Sequence, residues 1–220
     1  MTHFIYPDPQ LDARVAAAEA LRNLSEAMVG HASSDERLAE ITAWANDQAE
    51  VLRQGERTER DGNYQKRRYL DPAPPDGEGL VTFSDRPISG PANPSATRLR
   101  IRRDGNEAVG TVVFDRRFES SPDRVHGGIT ASTFDDVMGY VNVIDGVAAY
   151  TLDLYVRYVA GMPLYEPIEI RARTIETNLE RRRTIVTAEA HTADGALVAD
   201  GRGTFALIPR ERFGLEGSAE

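Results

Sequence analysis

The chain has 220 residues, of which 40% are hydrophobic and 28% charged, a composition typical of a protein that buries one core. Its net charge of -9 at pH 7 disfavours nucleic acid as a partner, because nucleic-acid-binding domains are normally basic. The absence of cysteine excludes disulfides, thiolate nucleophiles and cysteine-based metal sites. No apolar run approaches the length of a membrane span, and the first residues lack a secretory pattern, so we expect a cytoplasmic protein without membrane contact.

Two helices are predicted within the first 55 residues. The first covers 11–30 and stops at a glycine, and the second opens with Ser33 and Glu36 in capping-box spacing. Their apolar stripes hold Leu21, Leu24 and Met28 in the first helix, and Leu38, Ile41, Ala45, Ala49 and Leu52 in the second. A short turn between them predicts an antiparallel hairpin that packs on the rest of the chain or on a partner.

Residues 56–95 are charged at first and then rich in proline and glycine, which is typical of a linker. From about residue 96 the hydrophobic period changes to two, which indicates strands. We therefore predict an N-terminal helical hairpin with its linker over residues 1–80 and a main domain over residues 81–220.

The main domain is predicted to contain six strands and one long helix. Two strands, in 97–103 and 107–114, precede the helix, and four follow it. The later strands lie in 149–159, 167–176, 182–191 and 196–208. Because no second helix is available to cover a parallel sheet, the helix is best buried by an antiparallel sheet that curls around it. The predicted fold class is α+β.

The segment 124–139, RVHGGITASTFDDVMG, places two adjacent carboxylates inside that helix. Its core-facing stripe is predicted to hold Phe134, Val137, Met138 and Val141. At about 100° per residue, Asp136 points nearly opposite this stripe, where a solvated carboxylate is ordinary, and Asp135 lies on its flank. The same flank holds Gly128, Ala131, Ser132, Gly139 and Asn142. These mostly small residues leave room for a ligand, so Asp135 is the candidate general base.

The His-Gly-Gly sequence at the start of the helix has a second chemical use. The first amides of a helix have no partner within it and carry a partial positive charge. Gly127 and Gly128 would let a substrate carbonyl approach these amides closely. The start of the helix is therefore a candidate oxyanion hole.

This pattern resembles the hotdog-fold thioesterases of the phenylacetate-pathway, or PaaI-like, type. In that family an acidic residue follows nine positions after the histidine of His-Gly-Gly, as Asp135 follows His126 here. Thr151, sixteen residues after Asp135, occupies the position at which relatives carry a serine or threonine that assists the acid. The Asp-plus-Thr version is similar to the mammalian mitochondrial long-chain acyl-CoA thioesterases. The resemblance covers about residues 95–209.

The resemblance implies a hotdog fold, in which an antiparallel sheet wraps around one long helix, and hydrolysis of acyl-CoA thioesters in lipid metabolism. Asp135 would act as general base on water or as nucleophile through an anhydride, and Thr151 would orient the water or the aspartate. The amides of Gly127 and Gly128 would hold the oxyanion. His126 would polarise the carbonyl or, equally, serve as a capping residue. The site would lie at the interface of a homodimer or dimer of dimers, with no metal or redox cofactor.

Other candidates concern substrate binding. Ser120 stands six residues before His126, where many relatives have asparagine, and could hydrogen-bond a water. Ser132 shares the flank of Asp135. Arginine suits bidentate contact with phosphates, so the candidates for binding CoA are Arg157, Arg181, Arg182 and Arg183.

Two other functions compete on the same fold. An (R)-specific enoyl-CoA hydratase is disfavoured, because such enzymes have a histidine five residues after the aspartate and this chain has Tyr140. A non-catalytic acyl-CoA-binding or regulatory protein, with the N-terminal helices as its output, stays the alternative. The four histidines show no metal-ligand spacing with one another, so no metal site is expected.

Overall fold

The computed structural model describes residues 2–215. The helices are α1 (Leu11–Gly30), α2 (Asp35–Arg53), α3 (Arg67–Leu70) and α4 (Gly127–Ile144). The strands are β1 (Thr2–Phe4), β2 (Gly79–Val81), β3 (Arg100–Asp104), β4 (Glu107–Val113), β5 (Ala149–Tyr158), β6 (Pro167–Asn178), β7 (Arg183–Thr192) and β8 (Leu197–Leu207). Within the described range, none of the helices combines the length and apolar character needed to cross a bilayer.

Strands β3 to β8 form one antiparallel sheet with the order β3-β4-β6-β7-β8-β5. The predicted six strands and one long helix are confirmed, and so is the α+β class. Strand β5 follows α4 in the chain but lies at the far edge of the sheet from β3, because β6 joins β4 instead. The helix therefore crosses the sheet, and β5 begins beside its flank.

Helix α4 forms the centre of the core. All four residues of its predicted stripe, Phe134, Val137, Met138 and Val141, are fully buried. Strand β8 carries two glycines that face the helix: a Cβ on Gly201 would lie 3.0 Å from the Phe134 ring, and one on Gly203 3.1 Å from the Met138 sulfur. The missing side chains let the sheet close around the helix.

Helix α1 is docked by polar contacts rather than by the predicted stripe. Leu21 and Met28 are exposed, and the buried residues of α1 are Ala18 and Arg22. Arg22 donates to the carbonyl oxygens of Asn93 at 2.7 Å and Pro91 at 3.0 Å. The prediction of this face was wrong because α1 packs against a loop through these two carbonyl groups, which a buried guanidinium can contact and a leucine or methionine cannot.

Helix α2 is also present where the sequence predicts it, but none of its residues is buried. Its N-cap is Ser34, whose hydroxyl accepts from the Arg37 amide at 3.3 Å, one residue later than the predicted Ser33. Leu38, Trp44 and Leu52 are exposed. The predicted apolar stripe of α2 is therefore not covered within the described chain.

The segment predicted to be a linker packs over α4. It contains α3, β2 and a 3-10 helix at Tyr64–Lys66, and β1 pairs in parallel with β2. Gln65 donates to the Ala149 carbonyl oxygen at 3.2 Å, and the Leu80 amide donates to the Tyr140 hydroxyl at 2.8 Å. Prolines and glycines interrupt any hydrophobic period here, so the sequence pattern gave no sign of packing. The division into residues 1–80 and 81–220 stays a prediction, and its boundary falls inside β2.

Candidate active site

The structure brings Asp135 and Thr151 into direct contact. The Thr151 hydroxyl donates to Asp135 Oδ1 at 2.8 Å. This hydrogen bond joins the flank of α4 to the beginning of β5. Asp135 is half-buried, and within residues 2–215 its other carboxylate oxygen has no hydrogen-bond donor. One oxygen is thus fixed by the protein, and the other is available to a water or a substrate.

A β-bulge lies directly beside Thr151. On the pairing with β8, Thr151 faces Phe205, Asp153 faces Thr204, and Leu152 is left without a partner. Bulges bend a strand and redirect its side chains, and they are frequent next to active sites. This local irregularity sets the direction in which the Thr151 hydroxyl leaves β5.

The neighbouring Asp136 has a different environment. Its side chain is only 9% exposed and forms an ion pair with Arg86. The expectation of a solvated carboxylate was wrong, because the segment after β2 covers this side of α4 and brings Arg86 to it. Asp136 is therefore engaged in holding the N-terminal segment to the helix, whereas Asp135 is not engaged by any cation of the described chain.

A cavity of about 990 Å³ extends from Asp135 along α4 towards its C-terminus. Asp135 and Thr151 lie in its wall, together with Gly139 on the same helical flank. A Cβ added to Gly139 would meet nothing within 4 Å, so this glycine faces open space. The opposite wall comes from the N-terminal part of the chain and includes Phe4, Val15, Arg68, Leu80, Thr82 and Phe83. A volume of this size holds a drug-sized ligand.

His126 is the N-cap of α4. Its Nδ1 accepts a hydrogen bond from the Gly128 amide at 2.9 Å. A nitrogen that accepts is unprotonated, so the neutral ring carries its proton on Nε2. Gly128, predicted as a second oxyanion donor, therefore has its amide already engaged. The Gly127 amide has no acceptor within the described residues, and the Gly127 carbonyl oxygen accepts from the Tyr158 hydroxyl at 2.8 Å.

Asp135 and the Gly127 amide do not meet within one chain. Eight residues of helix separate them, which is about 12 Å along the axis. His126, Gly127 and Gly128 are also not among the residues that line the cavity. One thioester carbonyl cannot contact both groups of the same chain.

Comparison with known proteins supports the predicted hotdog fold. A solved thioesterase superfamily protein matches with a TM-score of 0.75 and 25% identity, over 91% of this chain and 92% of that one. The chain has the hotdog fold of the thioesterase superfamily. The match includes most of the N-terminal part, which lay outside the resemblance drawn from the sequence.

Two other solved structures match this hotdog protein over about half of its length. They are the Escherichia coli PaaI protein from the phenylacetic acid degradation operon (18% identity, TM-score 0.48, 51% of this chain and 81% of that one) and a Streptococcus pneumoniae hypothetical thioesterase with coenzyme A (17% identity, TM-score 0.47, 50% and 85%). No family model and no curated protein matches the chain.

The two predicted serines lie apart from the Asp135 carboxylate. Ser120 is exposed in the turn before α4 and does not line the cavity. Ser132 donates its hydroxyl to the Gly128 carbonyl oxygen at 2.8 Å, one turn back along α4. Neither serine contacts Asp135 or Thr151.

The predicted arginines divide into two groups. Arg157 is paired with Asp200, which neutralises its charge. Arg181, Arg182 and Arg183 are exposed at the turn between β6 and β7, and within residues 2–215 no carboxylate lies within 4.0 Å of their guanidinium groups. Arg183 pairs with Ala206, which also pairs with Tyr150, so this cluster lies at the same end of the sheet as Thr151.

Sequence reasoning missed the residues that complete the surroundings of the site. Tyr158 fixes the Gly127 carbonyl group, Arg86 neutralises Asp136, and Arg68 lines the cavity. Of these three residues, only Tyr158 could have been noticed in the sequence, because it is an aromatic residue at the end of a strand with alternating hydrophobicity. Among the described residues, no three His, Cys, Asp or Glu side chains are placed to hold a metal ion.

Proposed function

We propose that the chain hydrolyses acyl-CoA thioesters, with Asp135 as the reacting carboxylate and Thr151 as its positioning residue. The observation that carries this proposal is the Thr151–Asp135 hydrogen bond at the wall of the cavity. A half-buried carboxylate with one fixed oxygen and one free oxygen suits proton abstraction from water. The thioesterase superfamily fold, matched over most of the chain, agrees with this chemistry.

The reaction needs few groups. As general base, the free oxygen of Asp135 takes a proton from a water that attacks the thioester carbon, and the CoA sulfur leaves. As nucleophile, the same oxygen attacks first and forms an anhydride that water then opens. In either route the carbonyl oxygen gains negative charge and requires a hydrogen-bond donor.

That donor comes from a second copy of the chain in this proposal. Strand β5 is an edge of the sheet, and Tyr150, Leu152, Tyr155 and Tyr158 are exposed on it. An exposed apolar edge strand offers unpaired backbone groups to which another chain can pair. Antiparallel pairing of two β5 strands, centred between Leu154 and Tyr155, would place Thr151 opposite the partner subunit's Tyr158, which would hold the partner subunit's Gly127. The free Gly127 amide would then reach a carbonyl beside Asp135.

Substitution of Asp135 separates a hydrolase from a non-catalytic acyl-CoA-binding protein. D135N keeps the shape of the side chain and removes its basicity, so we expect kcat on acyl-CoA esters to fall about 10²- to 10⁴-fold. Thiol release by a panel of short, long and aromatic acyl-CoAs gives the rates, and calorimetry gives CoA ester binding. Retained binding without turnover supports the proposal. Wild-type protein that binds acyl-CoA without hydrolysing any of the panel would contradict it.

A further inference from the structure

The cavity beyond Asp135 contains a positive charge that the described chain does not neutralise. Arg68, on α3, lines the cavity, and its Nη1 atom is buried without a hydrogen-bond partner among the residues that the structure describes. Its Nη2 donates to the Thr82 hydroxyl at 2.9 Å, a neutral acceptor. Within residues 2–215 no carboxylate oxygen lies within 4.0 Å of this guanidinium, although part of the side chain reaches the surface.

Arg86 provides the contrast within the same cavity. Asp136 pairs with it, so the fold itself supplies its counter-charge. Arg68 has no carboxylate partner within residues 2–215, and burial together with the charge of Arg86 lowers the pKa of Arg68 to about 10. A buried charge without a counter-ion is costly, and the cost is removed when an anion binds. The guanidinium stays protonated at neutral pH, since its pKa remains above that range.

The backbone of Arg68 lies near the C-terminus of α4, and its guanidinium reaches Thr82 in the cavity wall. Its carbonyl oxygen is 4.0 Å from the position that a Cβ on Gly146 would take, just beyond the C-terminus of α4. The cavity wall near the C-terminus of α4 includes Asn142, whose Oδ1 is also buried and has no hydrogen-bond partner in the described part of the chain. Asn142 follows Asp135 by seven residues, about 10.5 Å along the helix. The helix C-terminus offers only a fraction of a negative charge to balance the arginine.

We propose that the cavity binds acyl chains that end in a carboxylate, so that the substrates are CoA monothioesters of dicarboxylic acids. This inference rests on the proposed function, because it names the acyl group that reaches Asp135. The terminal carboxylate accepts a hydrogen bond from Arg68 Nη1. A half-turn of the Asn142 amide presents its NH2 group as a second donor.

The hydrolysis balances without any further reactant. The water oxygen bonds to the thioester carbon, the carbon–sulfur bond breaks, and the sulfur leaves with the bonding electrons and takes up a proton. The products are CoA and a free dicarboxylic acid. The distal carboxylate is recognised and remains chemically unchanged.

The phosphates of CoA are the other anionic source. The wall around Arg68 favours the acyl chain, because it includes Leu80, Phe83 and Val143 and gives apolar contact along its length. The nucleotide end of CoA carries several charges, which suits the exposed cluster Arg181, Arg182 and Arg183 better than one buried cation.

The test compares CoA esters that share chain length and differ only at the far end: octanoyl-CoA with suberyl-CoA, and hexanoyl-CoA with adipyl-CoA. We expect kcat/KM to be about ten- to a hundredfold higher for the carboxylate ester, since hydrogen bonds to a charged group are strong. R68M should bring this ratio to about 1, and R68K, which keeps the charge without the fork, should give an intermediate ratio.

R67M is the matched control, because Arg67 is adjacent, exposed and paired with Asp71 at 2.9 Å, and its ratio should equal that of the wild type. A wild-type ratio near 1, or an unchanged ratio in R68M, overturns the inference while hydrolysis itself still stands. If R68M weakens the binding of free CoA as much as that of the carboxylate ester, the anion that Arg68 binds is a CoA phosphate, and the inference is overturned. If no ester is hydrolysed, calorimetry on D135N decides separately whether the carboxylate ester binds more tightly.

Discussion

Helices α4 and α2 have almost the same length, 18 and 19 residues, but they relate to the rest of the chain in opposite ways. Nine residues of α4 are buried, and none of α2 is. Helix α2 depends on local features, namely the Ser34 cap and the exposed Arg37–Glu40 pair at 2.7 Å. Helix α4 is fixed by the sheet around it, so tertiary burial holds it in place.

The difference shows which helix can position a reactive side chain. A carboxylate on α4 has a fixed position, because the neighbouring side chains are packed in the core. Asp135 follows directly after the fully buried Phe134, so its backbone cannot move without disturbing that packing. A site on α2 would have no such support. The N-terminal part contributes through α3 and β2, which cover α4 and close the cavity.

The largest expected effect on stability comes from truncating a buried side chain of α4. F134A should lower the free energy of unfolding by about 3–5 kcal/mol, because it removes a large buried side chain and leaves a cavity. The control on α2, L52A, should change it by less than about 0.5 kcal/mol, since that side chain is 78% exposed. Urea unfolding of both variants measures the two values. A loss above about 1 kcal/mol in L52A would show that a partner covers α2.

The next effect concerns the contact between α4 and β5. T151V removes the hydroxyl that holds Asp135 Oδ1, and we expect kcat to fall about 10-fold with little change in melting temperature. T151S keeps a donor at the same place and should retain most of the activity. Steady-state kinetics on one acyl-CoA ester measures both variants. Full activity in T151V would remove Thr151 from the site.

A smaller effect distinguishes the docked α1 from the free α2. The hydrogen bond from Arg98 lowers the pKa of Glu19 below its ordinary value of 4.5. The stabilisation by Glu19 is therefore complete above about pH 5 and is lost as the pH falls through the lowered folded value. E19Q should have a free energy of unfolding lower than that of the wild type at pH 7, by about 1 kcal/mol at most, and this difference should vanish on acidification.

E40Q is the matched control, because Glu40 pairs with Arg37 on α2 with both side chains about two-thirds exposed. It should match the wild type at every pH. Thermal unfolding between pH 3 and pH 7 provides the series. A gap for E19Q that does not change with pH would assign its role to packing rather than to charge.

The sequence predicted the sheet and α4 because their hydrophobic periods are regular, and it brought Asp135 and Thr151 together through a family spacing. It did not predict the cavity. The wall opposite α4 comes from a segment without periodicity, and its cohesion depends on contacts between distant residues, such as Leu80 with Tyr140. The ion pair of Asp136 with Arg86 was missed for the same reason, because the partners are fifty residues apart and no local pattern links them.

The most direct test of a site shared between two subunits uses mixed dimers of two inactive variants. D135N lacks the carboxylate. G127P lacks the amide that we propose as the oxyanion donor. Proline suits the first position of a helix, and the backbone of His126 (φ -59°, ψ 132°) accepts a following proline. Each variant alone should be inactive.

Co-refolding the two variants should restore about a quarter of the wild-type rate, because random pairing gives half mixed dimers and each has one intact site of two. Acyl-CoA hydrolysis by the mixture, compared with each variant alone, is the measurement. No recovery in dimers shown to be mixed would contradict a site built from Asp135 of one subunit and Gly127 of the other.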